Sequence, residues 1–381
     1  MGYRTIKSSL PPGSYFFQGD EACAEGAVAA GCRFYAGYPI TPASEVMEHI
    51  VRRFRECDGV FIQMEDEIGS ISAMIGAAWA GAKVMTATSG PGLSLMMESI
   101  GYAAMTETPC VIVDIQRAGP STGQATRPGS GDVLQVKWGS HGDYEVIALS
   151  PWSVQEIYDQ TIQAFNFAER FRVPVFVLSD EGVGHLRENV AVEEEVEVFE
   201  REKARGQPPF HTDEPDGVPP MPCFGDREKL LVTGSTHDPY GYRKTQISEV
   251  HERLVSRLVN KIRNHADEIV ETESYLMDDG PEVLLIAYGI TARTALRAAR
   301  VLRNEGRTVG LMRLKTIWPF PERSVQEVAR HCMKVVVPEL NQGQICREVE
   351  RLVDTDVISL PQTNGETMKP RKIIDCVRAL I

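Results

Sequence analysis

Two hydrophobic patterns alternate along this chain. One is a short apolar run, of the kind that forms a parallel strand buried on both faces. The other is a longer segment with apolar residues on one helical face, as at 151–170. Strands that alternate with helices in this way predict an α/β fold with parallel sheets. The apolar runs are 34–38, 61–64, 83–88, 109–115, 173–178, 282–289, 309–314 and 334–339.

The pattern predicts two parallel-sheet α/β domains joined by a connector. A chain of 381 residues is long enough for two hydrophobic cores. Between them the density of Pro and Gly rises, which favours an extended segment over a third core. The predicted first domain, connector and smaller second domain are 1–195, 196–279 and 280–381.

Three further segments carry structural expectations. Residues 1–19 are polar and interrupted by Pro and Gly, so they are expected to form a surface arm, with the fold proper beginning near Asp20. The Glu-rich segment 191–202 is expected to be a solvated run of charge. An apolar stripe over 245–271 predicts one long helix that bridges the domains or packs on a partner.

Composition excludes several classes of protein. The chain has 40 Lys and Arg against 53 Asp and Glu, a formal charge of −13, which argues against nucleic-acid binding. It contains neither an apolar run of membrane-spanning length nor a signal peptide, so a cytoplasmic protein is expected. The eight cysteines include no C-x-x-C pair. Any iron–sulfur cluster should therefore be held by another chain.

The most informative stretch, 61–98, holds two successive strand-to-helix junctions. The first enters a helix near Glu65, Asp66 and Glu67, where acidic side chains suit the helix dipole, and helix capping explains Glu65 and Asp66. Small residues behind Glu67 leave one helix face almost bare. That face either packs inside the fold or lies against a ligand or partner subunit. These small residues are Gly69, Ala73, Gly76, Ala77 and Ala80.

The second junction is predicted to be a tight turn, Ser89-Gly90-Pro91-Gly92, followed by a helix from about Leu93. A Gly-rich turn that opens a helix exposes amide N–H groups to an anion or a polar ring. The turn lacks the Lys of a phosphate-binding loop and the third Gly of a dinucleotide fingerprint. Taken alone, it does not identify a ligand.

Four polar residues near predicted strand ends are candidates for function. Thr41, between Pro39 and Pro42, either caps the next helix or faces a ligand at the sheet edge. Arg117 follows a buried strand and either forms a structural ion pair or clamps a carboxylate. His141 is either catalytic or a structural loop residue, and Asp180 is expected to cap the following turn.

Taken together, these motifs resemble the pyrimidine-binding domain of thiamine diphosphate enzymes. The shared features are Glu67 before a small-residue helix, Gly81-Ala82-Lys83, and Thr88-Ser89-Gly90-Pro91-Gly92. Tyr38-Pro39-Ile40-Thr41-Pro42 and Gln116-Arg117-Ala118-Gly119-Pro120-Ser121-Thr122-Gly123 are similar to the alpha subunit of 2-oxoacid:ferredoxin oxidoreductases. The order of elements in the last domain resembles the transketolase C-terminal domain.

The resemblance implies roles for individual residues. Glu67 would hydrogen-bond N1′ of the aminopyrimidine, and its setting among Ala and Gly should raise its proton affinity. Thr41 would lie beside the substrate and the thiazolium ring, and Arg117 and Thr126 would contact the substrate. No residue of this chain is expected to bind a metal. The residues implied in cofactor binding are Glu67, Tyr38, Pro39, Ile40, Ser89 and Gly90.

The resemblance also implies partners. The chain has no Gly-Asp-Gly motif with a following Asn for Mg²⁺ and the diphosphate, so a beta subunit is expected to supply that half and an iron–sulfur cluster. Gamma and ferredoxin-like delta subunits, ferredoxin, coenzyme A and a 2-oxoacid are also implied. The segment 120–123 is more similar to 2-oxoglutarate enzymes than to branched-chain ones. The residues at 124–127 depart slightly from those familiar at this place in the family. The alternatives are a branched-chain 2-oxoacid enzyme and a non-catalytic scaffold subunit of the same fold.

Overall fold

The computed structural model describes residues 2–203, 206–278 and 280–380. The elements before the connector are β1 (Gly2–Lys7), β2 (Gly13–Gln18), α1 (Gly19–Ala29), β3 (Phe34–Gly37), α2 (Ser44–Phe54), β4 (Val60–Gln63), α3 (Glu67–Trp79), β5 (Val84–Thr88), α4 (Gly90–Met105), β6 (Cys110–Ala118), β7 (Gln124–Pro128), α5 (Val133–Trp138), β8 (Ile147–Leu149), α6 (Val154–Phe171), β9 (Pro174–Asp180), α7 (Glu181–Gly184), β10 (Arg187–Val192) and β11 (Glu195–Glu200).

The elements after residue 247 build the rest of the fold. They are α8 (Ser248–Arg263), α9 (Ala266–Ile269), β12 (Thr272–Tyr275), β13 (Val283–Ala287), α10 (Gly289–Asn304), β14 (Val309–Leu314), β15 (Thr316–Trp318), α11 (Glu322–Ala329), β16 (Lys334–Glu339), α12 (Gln344–Glu350), β17 (Asp356–Pro361) and α13 (Pro370–Arg378). None of the helices in the described ranges is long and apolar enough to cross a membrane.

Two mainly parallel sheets confirm the predicted α/β class. The first has the strand order β15-β8-β9-β6-β5-β3-β4, with β7 paired antiparallel to β6. The second has the order β12-β14-β13-β16-β17, in which only the edge strand β12 is antiparallel. Strand β15 comes from the C-terminal part of the chain yet pairs antiparallel with β8 of the first sheet. The two halves of the molecule therefore share a sheet.

The first sheet is buried because helices cover both of its faces. Every residue of β5 and β6 is buried. Alternate side chains of β6 enter two cores, with Ile112 on the face covered by α3 and α4, and Val111 and Val113 on the face covered by α1, α2 and α6. Such strands have apolar residues at every position, which explains why the sequence predicted them.

The structure contradicts the expected surface arm, and it forms strands in the Glu-rich run, whose glutamates are solvated as expected. Strand β1 pairs with β11 and β2 pairs with β10, all antiparallel, so the fold begins before Asp20. In β11 the side chains of Val196 and Val198 are buried, whereas Glu195 and Glu197 point to solvent. This alternation with a period of two is a strand signal that the high charge concealed.

The connector between β11 and α8 is extended, as predicted, but it is firmly anchored. The fully buried Arg172 donates hydrogen bonds to the carbonyl oxygens of Pro209, Pro219 and Pro220 at 2.7, 3.1 and 3.0 Å. The predicted helix over 245–271 is wrong in its length, because α8 ends at its C-cap Asn264 and a separate short α9 follows.

Candidate active site

Glu67 is the first residue of α3 and turns into the protein. The preceding Asp66 is the N-cap, and its Oδ1 accepts a hydrogen bond from the Gly69 amide at 2.7 Å. This confirms the capping interpretation for Asp66. Glu67 itself is only 4% exposed, whereas its neighbour Ile68 is 47% exposed. The helix start therefore separates a capping carboxylate at the surface from a buried carboxylate.

Gly92 of α4 creates the space that the Glu67 carboxylate occupies. A β carbon at Gly92 would overlap both Oε1 of Glu67 and Oγ1 of Thr88. Burial, with a smaller contribution from the charge of Asp66, raises the pKa of Glu67 above its ordinary value. The expected increase in proton affinity is confirmed. Thr88, at the end of β5, belongs to the motif quoted from the sequence but was given no role of its own there.

The start of α4 differs from the predicted turn. Ser89 is the N-cap and the helix already begins at Gly90, with Pro91 in its first turn. Pro is favoured there because its fixed φ suits the helix and its missing N–H is not needed. The side-chain oxygen of Ser89 is buried and has no hydrogen-bond partner among the described residues. An unpaired hydroxyl thus lies at the N-cap of the helix whose first turn contains Gly92, the glycine that faces Glu67.

The loop before α2 brings Thr41 and Arg117 together. The N-cap of α2 is Ala43, so Thr41 does not have the capping role that was one of its two interpretations. Nη1 of Arg117 donates a hydrogen bond to the backbone oxygen of Thr41 at 2.7 Å. Within this loop Tyr38, Pro39 and Thr41 are exposed and Ile40 is half-buried. The predicted cofactor loop is therefore fixed by Arg117 and open on its outer side.

Arg117 lies at a cavity between the two halves of the molecule. The cavity has a volume of about 420 Å³. Arg117 is 7% exposed, and its buried Nε has no hydrogen-bond partner among the described residues. Because the guanidinium already donates to Thr41 through Nη1, this Nε remains available to an anion. The polar and charged lining includes Arg117, Asp132, Gln135, Asn341 and Gln344, and Gly90 also lines the cavity.

Thr126 and His141 lie elsewhere. Thr126, in β7, lines a second cavity of about 370 Å³ together with Arg127, Glu181 and Lys369. The structure therefore places Thr126 and Arg117 in different cavities. His141 is exposed in the loop after α5, where its Nδ1 is 3.5 Å from Oγ of Ser140.

A pair of buried carboxylic acids beside Arg117 was missed in the sequence. Asp114 of β6 is fully buried and lies close to Asp132, which lines the Arg117 cavity. Burial raises the pKa of both groups, and their mutual repulsion raises that of Asp114 further. The available signal was an acid inside the apolar strand 109–115. Its partner, eighteen residues later, follows a loop and was not predictable from spacing.

Asp180 has the predicted capping role and a second one. Its Oδ1 accepts a hydrogen bond from the Val183 amide at 3.1 Å, which caps α7 and confirms the prediction. Its Oδ2 accepts from the Ile290 amide at 2.9 Å, at the start of α10 in the other half of the chain. One carboxylate thus joins the two sheets close to the cavity that contains Thr126.

Two protein-family models match this chain, one over its first part and one over its last part. Residues 25–257 match the family described as pyruvate flavodoxin/ferredoxin oxidoreductase, thiamine diphosphate binding. Residues 281–373 match the pyruvate:ferredoxin oxidoreductase core domain II. The first match contains the Thr41 loop, the Glu67 junction and Arg117, and the second contains Asn341 and Gln344 of the cavity lining.

Individual relatives cover nearly the whole chain. The 2-oxoglutarate synthase subunit KorA of Methanocaldococcus jannaschii is 52% identical over 363 residues, which is 94% of this chain and 97% of the relative. The ketoisovalerate oxidoreductase subunit VorB of Methanothermobacter thermautotrophicus is 38% identical, over 95% of this chain and 96% of the relative.

A solved structure is also similar over almost the entire chain. The 2-oxoglutarate:ferredoxin oxidoreductase from Magnetococcus marinus, solved with 2-oxoglutarate, coenzyme A and succinyl-CoA bound, superposes with a TM-score of 0.91 at 32% identity. The match covers 97% of this chain, and this chain spans 65% of the solved one. The chain belongs to the pyruvate flavodoxin/ferredoxin oxidoreductase family with a thiamine-diphosphate-binding domain.

Proposed function

We propose that this chain is the alpha subunit of a cytoplasmic 2-oxoglutarate:ferredoxin oxidoreductase, which decarboxylates 2-oxoglutarate oxidatively, forms succinyl-CoA and reduces ferredoxin. The observation that carries the proposal is the buried carboxylate of Glu67, held against Gly92 with a raised pKa. The names of the relatives at 52% identity and of the solved neighbour support the substrate. The eight cysteines are all unpaired, which suits a reducing compartment.

Glu67 would hold the aminopyrimidine of thiamine diphosphate. When bound, this cofactor supplies the electron sink for cleaving the bond between the carboxyl group and the keto carbon of a 2-oxoacid. A carboxyl group with a raised pKa holds its proton more tightly than an ordinary glutamate and can share it with a ring nitrogen. Gly92 leaves room for a ring to approach, and the unpaired Ser89 hydroxyl offers a further hydrogen bond. Tyr38, Pro39, Ile40 and Gly90 would complete the cofactor contacts.

Arg117 would hold a carboxylate of the oxoacid. Its Nη1 is fixed on the Thr41 carbonyl oxygen, so the guanidinium plane is already oriented, and the buried Nε is available to the substrate. A guanidinium of this kind forms short charge-assisted hydrogen bonds that exclude water. Thr41 would lie beside the reacting carbon. Thr126 would make a further substrate contact from the neighbouring cavity.

A beta subunit would provide Mg²⁺, the diphosphate contacts and an iron–sulfur cluster, with gamma and delta subunits completing the complex. The outer face of α3 supports a partner at this place. Gly76 and Ala80 of the small-residue face are exposed there, and a β carbon on Gly76 would meet no atom within 4 Å. A bare helix face that is open in the single chain permits close approach of another subunit. Coenzyme A and ferredoxin would then bind the assembled complex.

Substrate identity distinguishes the main proposal from its alternatives. The experiment is viologen or ferredoxin reduction by the complex copurified with this chain, supplied with thiamine diphosphate, Mg²⁺, coenzyme A and a panel of 2-oxoacids. The proposal predicts the highest kcat/KM with 2-oxoglutarate and none with the isolated chain. Highest activity with 2-oxoisovalerate would instead favour a branched-chain enzyme. An assembled, cofactor-loaded complex that is inactive with every oxoacid would indicate a scaffold subunit.

A further inference from the structure

Three side chains that could bind a cation converge behind the Thr41 loop. Asp20 lies in the first turn of α1, Glu45 in the first turn of α2, and His185 directly after α7. Nε2 of His185 is 3.9 Å from Oδ2 of Asp20 and 3.7 Å from Oε2 of Glu45. One potential ligand atom from each residue lies within 4.8 Å of the others. These residues are far apart in the sequence, which explains why no metal set was expected.

The Asp20 side chain lacks the partners that a buried carboxyl group needs. It is 0% exposed, and neither of its oxygens has a hydrogen-bond partner among the described residues. If ionised, it lacks a donor, and if protonated, its hydroxyl lacks an acceptor, so both forms are costly. A β carbon on Gly184 would lie 2.9 Å from Asp20 Oδ1, so the backbone closes tightly around the carboxyl group. Its other oxygen faces His185.

We propose that Asp20, Glu45 and His185 bind a divalent transition-metal ion, with Zn²⁺ the closest match. Imidazole with carboxylates is a common ligand set for such ions. Tetrahedral ligands at ordinary Zn²⁺ distances lie about 3.4 Å apart. The two separations from Nε2 of His185, 3.9 and 3.7 Å, therefore need only a small contraction, while the two carboxylates, within 4.8 Å of each other, would close further around the ion. The carbonyl oxygen of Pro42 lies 3.2 Å from Nε2 of His185 and is placed for a further contact.

A third carboxylate, that of Glu181, orients the imidazole. Oε1 of Glu181 is 3.4 Å from Nδ1 of His185, on the ring nitrogen opposite the proposed metal position. A carboxylate that accepts from the second nitrogen of a ligating His fixes the ring and its tautomer. Nε2, which is hydrogen-bonded to the Pro42 carbonyl oxygen in the structure, would then exchange that hydrogen bond for the metal.

The metal would position the Thr41 loop from behind. It would link the first turns of α1 and α2 to the end of α7, and Glu45 follows Thr41 by only four residues. Because the loop is held by Arg117 on its other side, the metal would be a second anchor. This is a structural role, and it does not depend on the proposed substrate.

The test uses metal-stripped full-length chain titrated with Co²⁺ and Zn²⁺. We expect one equivalent to bind with a d–d spectrum typical of nitrogen and oxygen ligands, and Zn²⁺ to raise the melting temperature. His185→Gln and Glu45→Gln change half-buried residues that the fold should tolerate, and each should weaken binding by roughly tenfold or more. Glu48→Gln, an exposed position on the same helix as Glu45, should bind like wild type.

Two results would overturn the proposal. One is a wild-type chain that binds no stoichiometric metal, in which case an ordered water or a proton satisfies Asp20. The other is equal binding by wild type, His185→Gln and Glu45→Gln, or a cobalt spectrum dominated by thiolate charge transfer, which would place the metal on cysteines. Spectrum and affinity are measured without substrate, so they decide the metal site separately from activity.

Discussion

Oε1 of Glu67 occupies space that a β carbon on Gly92 would need. Helices α3 and α4 follow β4 and β5 along the chain. They therefore fit together at this one pair of residues. The absence of a side chain at Gly92 lets the carboxylate remain buried, and burial in turn raises its pKa. Position and proton affinity of the proposed catalytic group thus depend on the same contact.

Gly92→Ala should destabilise the chain even though alanine favours helices. The new methyl group would collide with Glu67 and Thr88, and such overpacking costs about 1–3 kcal/mol. The matched control is Gly76→Ala in α3, where a β carbon would meet no atom within 4 Å. There the higher helix propensity of alanine should stabilise the chain by about 1 kcal/mol. Thermal unfolding of the isolated chains measures both. Equal effects of the two changes would show that the Gly92 contact is not tight.

The same Gly76→Ala variant also tests the proposed subunit contact. If a partner packs closely on the outer face of α3, one added methyl group should weaken assembly while stabilising the free chain. Copurification of the complex at several concentrations measures this effect. Undiminished assembly would place the partner on another face.

Arg117→Ala should raise the KM for 2-oxoglutarate by roughly tenfold or more, because it removes the unpaired buried Nε and the anchor on Thr41. The comparison is Arg127→Ala, an exposed residue of the second cavity. Steady-state kinetics of the assembled complex measure KM and kcat for both. A larger change in KM for Arg127→Ala would move the main carboxylate contact to the cavity that contains Thr126.

Asp180 makes stability depend on pH with a defined sign. Burial raises its pKa to about 6, so the folded chain binds this proton more tightly than the unfolded chain does. Wild type should therefore lose stability relative to Asp180→Asn as the pH rises from about 4 to about 6, and the difference should stay constant above that. Melting temperatures of both proteins across this range measure the effect. A difference that grows in favour of wild type would contradict the assigned pKa.

Arg172→Met should destabilise the chain by about 3–5 kcal/mol, because three connector carbonyl groups and the buried carboxylate of Glu107 would lose a cationic partner. The control is Arg170→Met, whose ion pair with Glu268 is partly exposed and should contribute under about 1 kcal/mol. Urea unfolding measures both changes. Similar small losses would mean that the connector is held mainly by its apolar contacts.

Much of the fold was predictable because its central strands are buried on both faces. Strands such as β5 and β6 contain apolar residues at nearly every position, which local sequence records directly. The pairing of β1 with β11 was not predictable, since it joins residues almost two hundred positions apart. The pairing of β15 with β8 in the first sheet also joins residues far apart in the sequence, so it was not predictable either. The three-part division at 195 and 279 remains a prediction.

The site was predictable where a motif is local. The Glu67 junction and the loop containing Thr41 are each contiguous, so their composition pointed to them. The contact between Arg117 and Thr41 spans 76 positions and depends on the sheet order, which spacing does not reveal. Asp20, Glu45 and His185 were missed because each has an ordinary explanation in its own segment.

Decarboxylation by the complex carrying Glu67→Gln measures whether Glu67 holds the aminopyrimidine of the cofactor. Glutamine keeps the size of the side chain but cannot share a carboxylic proton with a ring nitrogen. The complex should assemble normally, and the turnover of 2-oxoglutarate should fall by roughly 10²-fold or more. Turnover close to wild type in an assembled complex would remove Glu67 from its proposed role.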